Sequence, residues 1–416
     1  MPLWHGLSRR ATDSRPAAPV EPPVLPIDPM SPEFISHPYP ALAWLREHQP
    51  VHRCATGAWM ITRFEDVHAA FADDRLGNEP APHAVVNARN SQRYMCASVA
   101  EHILPFLDEP AHTLPRRAVS RTFHRYLQEA PVDIESIAAN HLEPWLANRE
   151  FDVLEDFATP LSLDVMMALF GLPPGDRERL QNGSHWFFYL FAIMPSDTVR
   201  QQVDAGLTDF RDYFLSQIAR RRREPGNDLI SVFLADKQCD SFSDEMLADT
   251  CMLLFADGIE NVDAAIANAI VLFADHPQQW RRLRRNPDLM TNAIEECLRL
   301  EAPAQFIARV AKSDLKIGGQ TIEKASAVLL MLGSANRDPE RFEQPEAFDI
   351  SRKPDAQIGF GRGRHSCLGA RLVKSKMAAA FTVLMRNCPK LKRSRAPLVW
   401  EPRLGHRWQR HLVVTF

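Results

Sequence analysis

The sequence lacks paired cysteines, a long apolar run and a large net charge of either sign. Its seven cysteines include no Cys-x-x-Cys pair, which argues against a zinc site or a disulfide scaffold and predicts a reducing compartment. No stretch of about 18 apolar residues occurs, so no transmembrane helix is expected. The formal net charge of -3 argues against binding to nucleic acid or to an anionic membrane. These absences predict a cytoplasmic protein with neither nucleic acid nor membrane as a partner.

No secretory signal is expected at the N-terminus. Arg9 and Arg10 are not followed by an apolar segment, which such a signal requires. Residues 15–33 contain seven prolines, a composition typical of an extended chain. We therefore expect residues 1–35 to form a flexible, proline-rich lead-in.

One cysteine lies among glycines in the segment Phe360-Gly361-Arg362-Gly363-Arg364-His365-Ser366-Cys367-Leu368-Gly369. Residues 370–381 follow it with the composition of a helix. A thiolate just before a helix N-terminus is stabilised by free backbone N–H groups and by the helix dipole. The glycines allow positive φ and let the backbone approach a large flat ligand. This arrangement suits a thiolate axial ligand to haem iron, although a lone cysteine is more often a small buried thiol with no ligand.

The same segment resembles the haem-binding loop of the cytochrome P450 family, Phe-Gly-x-Gly-x-His-x-Cys-x-Gly, at every fixed position. The resemblance implies a mainly α-helical fold, with a helical domain and a small β-rich lobe, formed as a single domain by residues 36–416. It implies haem b held through Cys367, in a loop shaped by Phe360, Gly361 and Gly369. The implied reaction inserts an oxygen atom from O₂ into a C–H bond of a hydrophobic substrate.

His112 and Arg116 are four residues apart and would share one face of a helix that begins near Pro115. A solvated basic helix is the plain interpretation of this segment. The pair also matches the family's His-x-x-x-Arg element, whose side chains contact the haem propionates. The resemblance therefore implies that His112, Arg116, Arg309 and His365 hold the two propionate groups, a task suited to cationic and hydrogen-bonding side chains.

Residues 252–270 are predicted to form one long, mostly apolar helix, with Gly258 as a weak point. Asp257, Glu260 and Asn261 are polar residues in its middle, and such groups are costly unless they are paired, which makes them functional candidates. The segment is similar to the family's Ala-Gly-x-(Asp/Glu)-Thr pattern at the dioxygen pocket. It departs from that pattern because Asp257 replaces the alanine and Asn261 replaces the threonine.

An amide cannot relay a proton as a hydroxyl can. We therefore expect Asp257, Gly258, Glu260 and Asn261 to form the catalytic side of the site. The hypothesis at this point is that protons reach dioxygen through Glu260 and ordered water, or through a polar group of the substrate.

The remaining patterns predict short elements around this framework. Helices are expected over 41–48 and 64–71, strands over 51–53 and 59–62, an irregular segment over 72–105, mostly helix over 127–290, and two strands joined by a Gly-Gly turn within 315–333. Glu296 and Arg299, at helical spacing, match a structural pair of the family. Its usual third partner is Ala347 here, so Arg352 or Arg341 is expected to substitute.

The chain carries no flavin or nicotinamide domain, so the resemblance implies electrons from a ferredoxin and its ferredoxin reductase. A basic patch on the cysteine side suits an acidic partner, although a solvated face is an equal alternative. The patch is predicted from these residues: Arg117, Arg121, Arg362, Arg364, Arg371, Lys374 and Lys376.

The aromatic run over 184–194 reads as a core helix by default, and in the resembling family this region covers the substrate. A hydrophobic substrate follows, either a terpenoid or a polyketide. A loose overall likeness to rhizobial gibberellin-pathway enzymes suggests an ent-kaurenoid acid. Two alternatives are an H₂O₂-driven peroxygenase and a haem-binding protein without monooxygenase activity.

Overall fold

Helices make up most of the protein, and the computed structural model describes residues 23–129, 132–192, 196–353, 357–403 and 405–416. The α-helices are α1 Pro32–Ser36, α2 Pro38–His48, α3 Phe64–Ala70, α4 Met95–Ala100, α5 Thr113–Glu129, α6 Ile134–Leu142, α7 Thr159–Phe170, α8 Arg177–Phe187, α9 Asp197–Arg223, α10 Leu229–Ala235, α11 Asp244–Asp257, α12 Glu260–Asp275, α13 Pro277–Arg285, α14 Met290–Leu300, α15 Leu332–Ala335 and α16 Ala370–Asn387. The strands are β1 Val51–Arg53, β2 Trp59–Ile61, β3 Leu76–Gly77, β4 Glu150–Asp152, β5 Ile307–Ala311, β6 Leu315–Ile317, β7 Gln320–Ile322, β8 Ala327–Leu330, β9 Lys392–Arg393 and β10 Val413–Thr415. The prediction of a mainly α-helical fold with a small β-rich part is confirmed.

The strands form three small sheets. The largest has the order β1-β2-β8-β5-β3, in which β2 and β8 are parallel and the other pairs are antiparallel. β10 lies between β4 and β9 in the second sheet, and β6 and β7 form a hairpin. Gly318 and Gly319 form the predicted Gly-Gly turn between these two strands, and both have positive φ. The largest sheet thus brings β5, which carries Arg309, beside the N-terminal part of the chain.

Capping residues explain where the long central helices begin. The Ser243 hydroxyl accepts a hydrogen bond from the Met246 N–H at 3.1 Å at the start of α11, and Ser196 does the same for Val199 at the start of α9. Such caps contribute about 1 kcal/mol each. α7 ends where Gly171 takes φ 62°. These caps fix the ends of helices that pack around the central pair α11 and α12.

The predicted single helix over 252–270 is instead two helices that meet at Gly258 and Ile259. Ile259 has φ -111° and ψ -77°, which departs from helical geometry. A Cβ atom on Gly258 would lie 2.4 Å from the Met166 sulfur, so only glycine lets the break pack against α7. The expectation of a weak point at Gly258 is confirmed, and the expectation of one continuous helix is wrong.

The segment predicted as irregular over 72–105 contains the short helix α4 and the two-residue strand β3. Cys96 and Val99 are fully buried at helical spacing, and the Cys96 N–H donates to Asp204 of α9 at 2.8 Å. This contact with α9 stabilises a helix that is too short to persist alone. The prediction therefore missed α4 because its stability comes from tertiary packing.

The largest buried apolar cluster lies among the helices, and two smaller clusters lie on either face of the largest sheet. The predicted proline-rich lead-in lies outside the described residues for 1–22. Beyond it, Ile27 is buried and its carbonyl accepts from the Ala55 N–H at 2.8 Å. Within the described ranges, no helix is long and apolar enough to cross a membrane.

Candidate functional site

The Cys367 loop follows a tight path between β8 and α16. Gly361 and Gly363 have φ 65° and 71°, values that side-chain-bearing residues rarely adopt. The Cys367 N–H donates to the Phe360 carbonyl at 2.9 Å, which closes the loop behind the cysteine. The Phe360 ring lies 5.3 Å from the Lys374 ammonium of α16. The loop therefore presents the cysteine at the N-terminus of α16, as predicted.

The Cys367 side chain is accessible, although burial raises the pKa of its thiol to about 11. The backbone N–H groups of Gly369 and Ala370 hydrogen-bond to the sulfur and favour the thiolate, as does the Arg116 charge. Burial outweighs these effects in the free thiol, and a bound metal ion is what deprotonates a coordinating thiol.

The four residues predicted to hold propionates converge beside this loop. His112 stacks on His365 with ring centroids 3.9 Å apart, and Arg116 donates to the Ser366 carbonyl at 2.6 Å. Burial lowers the pKa of His112, and it lowers that of His365 to about 3, helped by the nearby His112 and Arg309. Both rings are therefore neutral hydrogen-bonding groups at neutral pH.

Arg309 is a buried cation, and His112 carries a buried polar atom without a partner among the described residues. Burial lowers the pKa of Arg309 to about 10, and its guanidinium donates to the Ala308 carbonyl at 2.8 Å. The Nε2 atom of His112 is buried without a hydrogen-bond partner among the described residues. Buried cations and unpaired donors are costly unless they meet an anion or an acceptor. Together with the accessible Cys367 sulfur, they fit a dianionic haem, with His112, Arg116, Arg309 and His365 toward its carboxylates.

Asp257 is the last residue of α11, and its side chain is exposed although burial raises its pKa to about 6. Its negative charge is the second cause, after burial, that raises the pKa of Cys367. The thiol has no reverse effect on Asp257 because it is still uncharged where that carboxyl ionises. The end of α11 therefore contributes to the electrostatic surroundings of Cys367.

Asn261 lies across the helix break from Asp257. The Asn261 side chain lowers the pKa of Asp257, against the larger effect of burial. The Oδ1 atom of Asn261 is buried and has no partner among the described residues.

Glu260 has a different set of neighbours. Its Oε2 atom lies 3.4 Å from a guanidinium nitrogen of Arg403, which also hydrogen-bonds to His185 of α8 at 3.2 Å. Burial raises the pKa of Glu260 to about 8 in spite of the Arg403 charge. The sequence did not predict this arrangement, since Arg403 comes from the C-terminal segment and no local pattern identifies it.

Lys376 was predicted in the exposed basic patch, and this is wrong because its side chain is fully buried. Its ammonium donates to the Gly258 carbonyl at 2.7 Å and to the Ser162 carbonyl at 3.2 Å, so α16 is tied to the helix break. Burial lowers the pKa of Lys376 to about 7, and the nearby Asp263 opposes that effect. Helical spacing from the buried Leu372 was a signal that could have placed this lysine in the interior.

The predicted pair of Glu296 and Arg299 is buried beneath the segment that leads into the Cys367 loop. Arg299 donates to the two Glu296 carboxylate oxygens at 2.7 and 2.9 Å. Arg352 lies 3.2 Å from the same carboxylate, which confirms one of the two predicted third partners. The other, Arg341, instead lies over the Phe64 ring.

The aromatic run predicted over 184–194 contains both buried and half-buried side chains. Ile193 and Met194 lie outside the described residues. Phe188 is buried and packs edge-on against Trp408 of the C-terminal segment, with ring centroids 5.1 Å apart. Phe191 is half-buried and lies 5.1 Å from Phe106. The interpretation as a core residue therefore holds for Phe188. Its contact with Trp408 of the C-terminal segment was not predicted from the sequence.

Comparison with known proteins gives a consistent result. The cytochrome P450 family model matches residues 178–394. The "Biotin biosynthesis cytochrome P450" of Bacillus subtilis is 33% identical over 93% of this chain and 98% of its own length. The "Vitamin D(3) 25-hydroxylase" of Pseudonocardia autotrophica is 31% identical over 86% of this chain and 88% of its own. The structure of P450BioI with a hexadec-9Z-enoic acid ligated acyl carrier protein is 32% identical, covers 93% of this chain and 100% of that chain, and has a TM-score of 0.84.

Proposed function

The chain belongs to the cytochrome P450 family, and from this premise we propose that it hydroxylates a terpenoid with electrons from a ferredoxin. Membership makes it a monooxygenase that uses haem b and O₂ on hydrophobic substrates. The balanced reaction takes R–H, O₂, two electrons and two protons to R–OH and H₂O. The observation that carries the proposal is the accessible Cys367 side chain in a glycine-shaped loop just before the N-terminus of α16.

Cys367 would hold the haem, and a thiolate-ligated haem would supply the chemistry of dioxygen activation. The residues of this chain supply the rest of the site. His112, Arg116, Arg309 and His365 hold and orient the propionates, and the loop hydrogen bond to Phe360 fixes the sulfur.

The substrate assignment is supported by the aromatic side chains that follow α8 and pack against one another and the C-terminal segment. Phe188 and Trp408 provide rigid aromatic surface, and Phe106 and Phe191 extend it. Such surface suits a bulky, fused-ring hydrocarbon such as a terpenoid, with an ent-kaurenoid acid as one member of that class. A relative that hydroxylates vitamin D₃ acts on a molecule of similar bulk.

A second candidate substrate is an acyl chain presented by an acyl carrier protein. P450BioI is bound to such a carrier protein in its structure, and its whole length matches this chain. The two candidates differ in shape and in the need for a carrier, so one binding experiment separates them.

The proposed ferredoxin site lies on the side of the Cys367 loop. His124 of α5 hydrogen-bonds to the Leu368 carbonyl at 3.0 Å, which places α5 beside the loop. Arg117 and Arg121 are exposed on the same helix, and Arg371 is exposed on α16. A cluster of exposed arginines suits an acidic partner and speeds its association.

The first test is the CO difference spectrum of the reduced protein, in which a thiolate-ligated haem gives a band at about 450 nm. A folded, haem-loaded protein without that band would refute the proposed function. The second test is a set of substrate-binding spectra with terpenoid acids, neutral terpenoids, free fatty acids and acyl chains on a carrier protein. Tight binding of the terpenoids alone supports the first substrate class, and binding of carrier-linked chains alone replaces it with the second.

The third test measures turnover with ferredoxin, its reductase and NADPH under ¹⁸O₂. One labelled oxygen atom in the product is expected. Product formed with H₂O₂ and no reductant, at a rate above that of the ferredoxin system, would favour a peroxygenase. Arg117→Glu should raise the KM for ferredoxin severalfold, whereas Arg220→Glu, at an exposed site on α9, should not.

A further inference from the structure

A groove with a volume of about 510 Å³ lies between α5, the start of α6, α7 and α16. This volume falls within the range of small-molecule sites, which is about 300–1,000 Å³. The residues predicted to hold haem and to form the catalytic side do not line it. The groove is therefore a second candidate binding site, separate from the one around Cys367.

The floor and walls of the groove are apolar. Val165 and Leu169 of α7 and Leu372 of α16 are buried at its floor. Leu127 of α5 and Ile134 of α6 are half-buried at its sides. Such surface favours an aliphatic chain over a polar ligand.

Small side chains on α16 leave the space open. The lining residues of this helix follow the spacing of one helical face, at positions 371, 372, 375, 378, 379 and 382. Ala378 and Ala379 lie in the middle of that face and are half-buried. A larger side chain at either position would occupy the groove.

The rim of the groove carries a cation without a partner. The Arg371 side chain is exposed and makes no hydrogen bond or ion pair with another described residue. The rim carboxylates are engaged, since Asp133 accepts from the Ser136 N–H at 3.0 Å and Glu135 pairs with Arg386. A guanidinium binds a carboxylate through two parallel hydrogen bonds. The charge at the rim and the apolar floor thus fit an aliphatic chain that ends in a carboxylate.

We propose that this groove binds an alkyl carboxylate, with its carboxylate on Arg371 and its chain between Leu127, Leu372 and Ala379. The occupied groove lies beside the Cys367 loop, because His124 at its rim hydrogen-bonds to the Leu368 carbonyl at 3.0 Å.

The bound carboxylate also has a consequence for electron transfer. Arg371 belongs to the exposed arginines proposed to meet ferredoxin, and a carboxylate on its guanidinium neutralises one of those charges. The alkyl carboxylate is therefore a negative effector of ferredoxin association. This consequence rests on the proposed function, whereas binding in the groove does not.

The first experiment measures decanoate binding to the holoprotein by isothermal titration calorimetry. Imidazole at saturating concentration coordinates the haem iron, and an unchanged Soret band during the titration shows that decanoate leaves that ligand in place. One decanoate per protein is expected. No binding under these conditions, or binding only with displacement of imidazole, would overturn the proposal.

Filling the groove tests its location. Ala379→Leu should weaken decanoate binding tenfold or more, because the added side chain occupies the space of the aliphatic chain. The matched control is Ala139→Leu, at an exposed position of α6 outside the groove, and it should bind like wild type. Ser375→Phe, at an exposed position on the rim, replaces Ala379→Leu if that variant does not hold haem. Wild-type affinity in the groove variant would place decanoate elsewhere and refute the assignment.

The role of Arg371 is tested with Arg371→Gln and a neutral ligand. Decanoate binding should weaken about fivefold, as expected for an exposed ion pair, and decanol binding should not change. Arg121→Gln, on α5 and exposed outside the groove, is the control for general attraction to a basic surface. Equal losses of decanoate affinity in the two variants, or an equal loss for decanol in Arg371→Gln, would contradict a carboxylate site at Arg371.

The last experiment measures ferredoxin binding to the imidazole-saturated holoprotein with and without decanoate. Decanoate should raise the Kd for ferredoxin severalfold in the wild type and leave it unchanged in Ala379→Leu, and decanol should have no effect on the wild type. A Kd that does not respond to decanoate would refute the role as an effector. A protein that binds decanoate in the groove but never binds ferredoxin would instead contradict the ferredoxin part of the proposed function, so the two failures can be distinguished.

Discussion

Replacement of Arg299 by methionine tests the buried support beneath the Cys367 loop. Its guanidinium donates to two Glu296 oxygens and to the carbonyls of Asn336, Pro345 and Ala347, at 2.7 to 3.1 Å, with its side chain 2% exposed. Removing one partner of a buried ion pair costs about 3–5 kcal/mol, since the other charge stays buried. Arg352 still compensates part of the Glu296 charge, so we expect a value toward the lower end of this range.

The matched control is Arg282→Met, which removes an exposed pair with Asp349 beside the same cluster. Both of its members are about half exposed, and surface pairs contribute about 0–1 kcal/mol. Urea unfolding of the holoprotein, followed by the Soret band and by far-ultraviolet circular dichroism together, gives the comparison. Equal effects of Arg299→Met and Arg282→Met on the unfolding midpoint would refute the conclusion that the buried pair supports the loop.

Three further changes have definite expected outcomes. Cys367→Ser should abolish the CO band at about 450 nm, and retention of that band would exclude Cys367 as the ligand. Asp249→Ala should lower the free energy of unfolding by about 3–5 kcal/mol, because the fully buried carboxylate binds Arg211 at 2.6 and 2.7 Å; urea unfolding measures this, and a loss below 1 kcal/mol would contradict it. Lys376→Met should lose stability relative to wild type as pH rises from 7 to 10, because burial lowers the folded-state pKa of Lys376 to about 7 and the unfolded wild-type chain therefore binds more protons in that window. The control is Lys374→Met, on the same helix but part-exposed, and a relative stability of Lys376→Met that does not change with pH would refute the assignment.

The side of the site that carries Cys367 could be predicted from sequence because its determinants are contiguous. The loop from Phe360 to Gly369 needs glycines at positions of positive φ and a helix start after the cysteine, and both requirements are visible in ten residues. His112 and Arg116 could be predicted for the same reason, since their spacing of four residues places them on one face of a helix. Local patterns also predicted the helices over 41–48 and 64–71, which correspond to α2 and α3.

The surroundings of the helix break could not be predicted because they are assembled from distant segments. Arg403 reaches Glu260 from the C-terminal segment, and Lys376 reaches Gly258 from α16. A lysine is usually predicted to lie on the surface. Lys376 is buried because it lies on the face of α16 that packs against the protein interior. The break itself depends on the contact of Gly258 with Met166 of α7, which no local pattern encodes.

The prediction did not consider that Asp257 and Asn261 could interact with each other. Each was treated as a separate departure from the family pattern, yet their spacing of four residues is the spacing at which helical side chains meet. A threonine in place of Asn261 alone would leave Asp257 without its amide donor, and an alanine in place of Asp257 alone would leave the Asn261 amide unpaired. Because the Asn261 side chain favours the charged form of Asp257, the two substitutions are expected to be non-additive in a double-mutant cycle. A coupling energy near zero between Asp257→Ala and Asn261→Thr, measured by urea unfolding, would show that the hydrogen bond does not join them.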